Sequence, residues 1–194
     1  MRVTHDKRRL SVALAATLLL AACSSGSTPS DDAAVKPSND TLAALVSRTS
    51  DLSVVSATLK DAGLAQVFDS TAAYTLLAPR DAAFDSLGDE GKALRSPEQR
   101  PAMVAVLRDH IVPGYLTPAD IANAVKLDPD GKVAMKTMGG HTLTFTSKDG
   151  TITATSQDGV SVHFAGDPLL ASNGVAIPVD ALAVKVGGPA VAAQ

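Results

Sequence analysis

The chain has 194 residues, of which 45% are apolar and 19% are charged, so it is long enough for one or two domains and too apolar to be wholly disordered. With four phenylalanines, two tyrosines, no tryptophan and a formal charge of −3, it lacks the stacking platforms and basic surfaces that hold nucleic acids. Its single cysteine excludes a disulfide within the chain and a zinc site built from thiolates.

Residues 1–22 predict a targeting signal. Basic residues precede the apolar run Leu10–Ala22, which is too short to cross a bilayer as a permanent helix. The run ends in the segment Leu20-Ala21-Ala22-Cys23, which resembles the lipobox of bacterial lipoproteins. This resemblance implies cleavage before Cys23 and lipid attachment to that residue. An ordinary secretory signal followed by an incidental cysteine is the alternative.

Lipid attachment would hold the chain in the bacterial cell envelope. Ser24 after the cysteine resembles lipoproteins of the outer membrane, and it leaves open whether the domain faces the periplasm or the cell surface. Loss of residues 1–22 would change the formal charge from −3 to −6, so we expect the lipid alone to contact the membrane. The Ser-, Pro- and Asp-rich composition after Cys23 predicts a flexible tether over residues 23–38.

The first part of the following domain predicts short helices with one strand among them. Apolar residues recur at helical spacing in residues 42–46, 52–62, 81–87, 101–110 and 117–125. The apolar strand Thr75–Ala78 ends at Pro79, and Asp81 is expected to cap the helix that it begins. Pro113-Gly114 is expected to force the chain out of the helix that ends at His110.

After Asp128 the apolar period changes to two, which predicts an antiparallel meander. The predicted strands lie around residues 133–138, 141–146, 152–154, 160–164 and 175–186. Asn173-Gly174 is expected to supply the positive φ of a tight turn, and Pro178 is expected at an edge or a bulge because it lacks an N–H. Helices followed by a meander predict one α+β domain over residues 39–187, with a short tail at 188–194.

Three segments, in this order and spacing, resemble the fasciclin (FAS1) family. They are Tyr74–Phe84 (YTLLAPRDAAF), Leu107–Gly114 (LRDHIVPG) and Ala171–Asp180 (ASNGVAIPVD). The resemblance implies a single FAS1-like domain, an antiparallel β-sandwich or wedge flanked by several short helices, with a role in adhesion or extracellular interaction. It implies no catalytic residue. The matching motif residues, which we expect to be mostly structural, are Thr75, Pro79, Asp81, Phe84, His110, Pro113, Gly114, Asn173, Gly174 and Asp180.

Departures from the family pattern mark candidate contact residues. Asp109 replaces the aromatic that precedes His110 in animal adhesion members, and Arg80 replaces a capping threonine. Asp167 and Leu169 lie near the Asp-Ile segment of integrin-binding members, with the acid displaced by one position, which argues against integrin-type binding. The candidate interaction residues are Asp109, His110, Asp167 and Leu169.

The sequence offers no constellation for catalysis. Strand alternation places His141 and His163 on opposite faces of the predicted sheet, and His110 lies on a helix, so we expect no shared metal site. Nucleophile-elbow, phosphate-loop and dinucleotide-binding motifs are absent from the sequence. We therefore expect a chain that is not an enzyme and has no cofactor.

Two functions follow from these observations. The first is a lipid-anchored, non-catalytic envelope protein whose FAS1 domain mediates adhesion, or interaction with an envelope or extracellular protein or matrix. The alternative is a carrier of apolar small molecules, lipid or isoprenoid, held between the helices and the sheet, because many small apolar residues could line a cleft without filling it.

Overall fold

The computed structural model describes residues 37–64, 68 and 72–186. The predicted signal segment 1–22, Cys23, most of the tether and the tail at 188–194 lie outside the described residues. The expected domain boundaries at residues 39 and 187 stay predictions.

The helices are short, and most begin close to where the periodicity predicts. They are α1 (Leu42–Arg48), α2 (Ser53–Asp61), α3 (Asp81–Asp85), α4 (Asp89–Leu94), α5 (Arg100–Arg108) and α6 (Pro118–Leu127). Helices of this length are not stable alone in water, so their packing against the sheets must hold them. No helix within the described ranges has the length and hydropathy to cross a membrane.

The first sheet has the strand order β2-β1-β8-β7. Its strands are β1 (Tyr74–Pro79), β2 (Ile111–Pro113), β7 (Leu169–Leu170) and β8 (Gly174–Val179). The central strands β1 and β8 run parallel along their whole length, whereas β2 and β7 pair with them antiparallel. The expected antiparallel sandwich therefore holds except at this pair, where the second sheet lies between β1 and β8 in the chain and no hairpin constrains their direction.

The second sheet is the predicted antiparallel meander, with the strand order β3-β4-β5-β6. Its strands are β3 (Lys132–Lys136), β4 (Thr142–Lys148), β5 (Thr151–Ser156) and β6 (Ser161–His163). Asp149 and Gly150 join β4 to β5 with φ values of 51° and 81°. This left-handed pair is the backbone that the Asp-Gly sequence favours in a two-residue hairpin.

The two sheets and the helices form stacked layers with two apolar cores. Helices α1, α2, α3 and α5 pack on one face of the first sheet, in a core with Leu42, Phe84, Leu107 and Leu76. The opposite face of this sheet packs with α6 against the inner face of the second sheet. Because the first sheet lies between both cores, β1 and β8 are buried on both faces.

Two of the predicted boundaries that are wrong lie next to the first sheet. Helix α5 ends at Arg108 instead of His110, because Ile111 and Val112 pair with β1; Pro113 and Gly114 therefore end a strand and not a helix. The last strand ends at Val179 instead of residue 186.

Pro178 lies in a central strand, yet its missing donor leaves no gap in the β1–β8 ladder. The carbonyl of Val179 accepts from Arg80 on the β1 side, whereas the carbonyl of Pro178 accepts from Ala165 on the other side. The nitrogen of Pro178 faces that other side too, where β7 has already ended after pairing with Val175 and Ala176. Pro178 therefore lies at an unpaired edge on the β7 side of β8, as expected, but not on the β1 side.

Gly174 allows close packing. The expectation that Asn173-Gly174 supplies a positive φ is wrong. The positive-φ residues of the described chain do not include Asn173 or Gly174. A Cβ on Gly174 would instead collide with the carbonyl oxygen of Tyr74 and lie 3.1 Å from Cδ2 of Leu42. The first residue of β8 must therefore lack a side chain for β1 and α1 to approach.

We expect Gly174→Ala to lower the free energy of unfolding by about 1–3 kcal/mol, because the colliding atom belongs to the backbone of β1 and cannot swing away. Gly159→Ala is the matched control, since Gly159 has φ 77° but open space around its Cα and tests backbone strain alone. Chemical denaturation of both variants measures the difference. A Gly174→Ala variant as stable as the wild type would contradict the packing role.

Candidate functional site

Thr75 ties β1 to the chain that follows β2. Its hydroxyl is fully buried, donates to the carbonyl of Gly114 at 2.8 Å and accepts from the N–H of Leu116 at 2.9 Å. Gly114 has φ 106° and donates its own N–H to Ala73 at 2.9 Å. The motif residues of the first two segments therefore hold each other in place.

Asp81 caps a neighbouring helix and not its own. Its carboxylate accepts from the N–H of Ser53 at 3.2 Å, from the hydroxyl of Ser53 at 2.6 Å and from the N–H of Val54 at 2.9 Å. These groups begin α2, whereas the first residue before α3 makes no side-chain capping bond. An acid at this point satisfies two free donors and complements the helix dipole of α2.

Arg80, which stands where the family has threonine, joins two layers. Its Nε lies 2.8 Å from a carboxylate oxygen of Asp51, and its Nη1 donates to the carbonyl of Ala165 at 3.4 Å. The side chain thus links the turn before α2 to the loop between β6 and β7. Phe84, one turn further along, is fully buried in the helical core.

His110 is an interior residue, which corrects its assignment as a contact residue. The ring is fully buried; Nδ1 donates to the carbonyl of Val106 at 2.7 Å and Nε2 accepts from the N–H of Ala183 at 2.9 Å. Both bonds together require the neutral tautomer with its proton on Nδ1. Burial lowers the pKa of His110, although the Val106 carbonyl and the charge of Asp109 oppose this shift.

Asp109 is also largely buried and belongs to a polar cluster that sequence reasoning missed. Its Oδ1 accepts from the hydroxyl of Thr137 at 3.1 Å and lies 2.7 Å from Nδ1 of His141. Gly139 makes room for the carboxylate, because a Cβ there would overlap Asp109 Oδ1. The sequence hints at this cluster only through Asp109 itself. The helix dipole disfavours an acid at the C-terminal end of α5, so a carboxylate there is expected to have hydrogen-bond donors nearby.

The Asp109–His141 pair does not form a catalytic triad with its described neighbours. Thr137 donates to the carboxylate and not to the imidazole, and Nε2 of His141 has no hydrogen-bond partner in residues 37–64, 68 and 72–186. A nucleophile would have to contact that nitrogen. In the same ranges no three His, Cys, Asp or Glu side chains gather as metal ligands. The pair fixes the turn between β3 and β4 onto the end of α5.

Asp180 joins the two sheets. Its carboxylate accepts from the backbone N–H of His163 at 2.7 Å and lies 3.0 Å from Nδ1 of the same residue. Its own N–H donates to the carbonyl of His163 at 3.2 Å. The end of β8 is thereby bound to β6, and His163 faces away from the inner core, as strand alternation predicts.

Asn173 fixes the segment that leads into the domain. Its Oδ1 accepts from the N–H of Leu42 and so caps α1 at 2.8 Å. The N–H of Ser38 donates to Leu170 at 2.7 Å and that of Ser172 donates to Asp40 at 2.9 Å, so the chain ahead of α1 runs along β7. This segment covers an edge of the first sheet, which removes a site for strand addition.

Asp167 is the one exposed member of the four candidate interaction residues. Leu169 is half-buried, pairs with Ala176 and packs against the helical core. Asp109 and His110 are buried, as described above. The structure therefore does not bring the four candidates together as one surface.

A groove of about 300 Å³ lies between α2 and the region from α4 to α5. Its lining includes Val54, Ala57, Leu94 and Met103, with Asp61 and Arg100 at its polar part. The space between the helices and the first sheet, where the sequence suggested a cleft, is filled by the side chains of the helical core.

We expect Asp81→Ala to lower the free energy of unfolding by about 1–2 kcal/mol, because two N–H groups at the start of α2 lose their acceptor. Asp81→Asn should lose less, since it keeps one acceptor. Asp89→Ala is the control, because that exposed acid pairs only with Lys92 in the described structure. Urea denaturation gives the comparison; equal stability of Asp81→Ala and Asp89→Ala would contradict a cap.

We expect the protein to lose stability in acid through His110. Its folded pKa lies below the value of about 6.5 for an unfolded histidine, so the unfolded chain takes up the proton first. The contribution is complete above pH 6.5 and declines below it, by up to about 1.4 kcal/mol per pH unit, until folded His110 is protonated too.

Unfolding free energies measured from pH 7.5 to 5 test this dependence. His110→Gln should flatten the slope, because glutamine does not titrate in this pH range. An unchanged slope in His110→Gln would contradict the assignment.

Comparison with known proteins agrees with this architecture. Residues 50–185 match the family model of the fasciclin domain. Protein sll1483 of Synechocystis sp. (strain ATCC 27184 / PCC 6803 / Kazusa) is 30% identical over 129 residues, which are 66% of this chain. The chain spans 64% of the length of this curated relative.

Among solved structures, a FAS1 domain pair from the insect cell adhesion molecule Fasciclin I superposes with a TM-score of 0.65. The identity is 14%, and the match covers 75% of this chain and 51% of that one, so the likeness concerns the fold. Both the matched segment and the two-sheet architecture with flanking helices agree with the expected FAS1 fold. This chain belongs to the fasciclin domain family.

Proposed function

We propose that this chain is a non-catalytic interaction module of the bacterial cell envelope. A lipid on Cys23 and a tether over residues 23–38 would hold the FAS1 domain near the membrane, most simply the outer membrane, on its periplasmic or surface face. From there it would mediate adhesion, or contacts with a protein or matrix. Fasciclin domains are commonly linked to adhesion or protein interaction and are generally non-catalytic.

One observation carries the proposal: the polar motif side chains bind other parts of the domain. Thr75, Asp81, His110, Asn173 and Asp180 each hold two segments together. The groups that look most reactive in the sequence therefore support a scaffold. This leaves recognition to exposed loops and faces, which is how a stable scaffold serves different partners.

We expect cells that carry the full chain to attach to a matrix or to form biofilm better than a deletion strain. Cys23→Ala should abolish the gain, because the domain would no longer be held at the membrane. Asp167→Asn tests the exposed loop residue among the candidates, with Asp89→Asn as a matched surface control. Attachment that stays equal in the deletion strain on every surface tried would contradict the proposed function.

The groove between α2 and α5 favours a second candidate, a carrier of apolar small molecules. Its volume lies at the lower end of small-molecule sites, and Val54, Leu94 and Met103 offer apolar contacts. Native mass spectrometry of protein from its own host separates the two functions. A reproducible bound apolar mass that Ala57→Phe removes would support the carrier, whereas clean apoprotein would support the interaction module.

A further inference from the structure

The outer face of the second sheet carries a regular array of threonines. On β4 and β5 the buried apolar residues Leu143, Phe145, Ile152 and Ala154 face inward, so the positions that alternate with them face outward. These outward residues are Thr142, Thr144, Thr146, Thr151, Thr153 and Thr155. The helix that packs on this sheet, α6, shares the inner core, so no helix of the described chain covers the outer face.

Strand register turns these threonines into a grid. Thr144 lies opposite Thr155, and Thr146 lies opposite Thr153. Neighbouring strands are about 4.8 Å apart and successive outward residues about 6.8 Å apart, so the hydroxyls repeat in two directions. The β-branched side chains hold few rotamers, which makes the array stiff.

Most of these hydroxyls are free to bind a partner. Thr155 bonds to Ser161 at 2.9 Å. The hydroxyls of the other five threonines form no hydrogen bond with any residue that the structure describes. Each free hydroxyl can donate once and accept twice.

Three lysines give this face a positive charge. Threonine is common in strands because of its β-propensity, but lysine is not. Lys132 lies opposite Thr146 and Lys136 opposite Thr142, while Lys148 lies opposite Thr151. None of them forms an ion pair with a described residue. The outward positions of the four strands carry no carboxylate in a chain whose formal charge is −3.

The acids near this face lie at its margin. Asp180 is held by His163 at the β6 edge. Asp149 and Asp158 lie in the turns that follow β4 and β5, and Asp128 and Asp130 lie in the turn before β3, where Asp128 Oδ1 accepts from the backbone N–H of Lys132 at 3.4 Å. The array itself therefore presents positive charge to solvent.

We infer that this face, the threonine sheet, binds an acidic polysaccharide; this inference rests on the proposed interaction function and names its partner. Carboxylates of the polymer would pair with Lys132, Lys136 and Lys148, and its hydroxyl groups would exchange hydrogen bonds with the threonines. A partner with both carboxylates and hydroxyl groups would bind the lysines and the threonines at the same time.

Other partners match only part of this surface. A second copy would bring the same positive charge, and an anionic bilayer is held by larger basic clusters or inserted apolar side chains, which this face lacks. Single-stranded nucleic acid would need aromatic platforms, and the outward positions of these strands hold none.

Binding of the purified full chain, in a zwitterionic detergent, to polygalacturonate tests the inference. Fully methyl-esterified polygalacturonate is the matched probe, because it keeps the sugar backbone and loses the charge. Titration calorimetry should detect binding to the acid form that weakens with added salt, and at least tenfold weaker binding to the ester. This ratio corresponds to about 1.4 kcal/mol.

Two double variants assign the surface. Lys132→Gln with Lys136→Gln should weaken binding about tenfold or more, and Thr146→Val with Thr153→Val, which removes two free hydroxyls on paired positions, should weaken it several-fold while keeping the strand shape. Lys60→Gln, an exposed lysine on α2, is the control and should bind like the wild type. Thermal unfolding verifies that each variant is folded.

Equal binding to acid and ester, or full binding by both double variants, would overturn the inference. So would binding to phosphatidylglycerol vesicles or self-association without polysaccharide binding. If cells attach through the chain and the threonine variant attaches equally well, the inference fails while the proposed function stands. If deletion of the chain leaves attachment unchanged, the proposed function itself fails.

Discussion

The parallel pairing of β1 with β8 is the constraint on which the domain depends. It joins two chain segments that have the entire second sheet between them, and it lies between both apolar cores. The three segments that resemble the fasciclin family form the three adjacent strands β2, β1 and β8. Their recognisable sequences are thus the requirements of one buried sheet: Gly174 for close approach, Thr75 for the loop beside β2, and apolar residues on both faces.

Polar side chains then fasten the other layers to this sheet. Asp81 at the end of β1 caps α2, and Asn173 before β8 caps α1. His110, beside β2, holds the chain after β8 through Ala183. Since these groups bind inward, the family likeness is explained by the scaffold, whereas the threonine sheet faces outward from it.

Features set by neighbours in the chain could be predicted from the sequence. The capping box of Thr117 and Asp120 begins α6, and Asp149-Gly150 forms its hairpin, because each depends on a few consecutive residues. Features set by distant partners could not. The direction of β8, the helix that Asp81 caps and the Asp109–His141 contact all depend on which segments the fold brings together. The residues next to a carboxylate in the sequence do not show which helix it will cap.

Hydrogen exchange of the backbone amides under native conditions tests the central role of the β1–β8 pair most directly. We expect the amides of these two strands to belong to the slowest class and to exchange only on global unfolding. Amides of β3 and β6, at the edges of the second sheet, should exchange faster by local opening. Faster exchange in β1 and β8 than in the second sheet would contradict the central role of this pair.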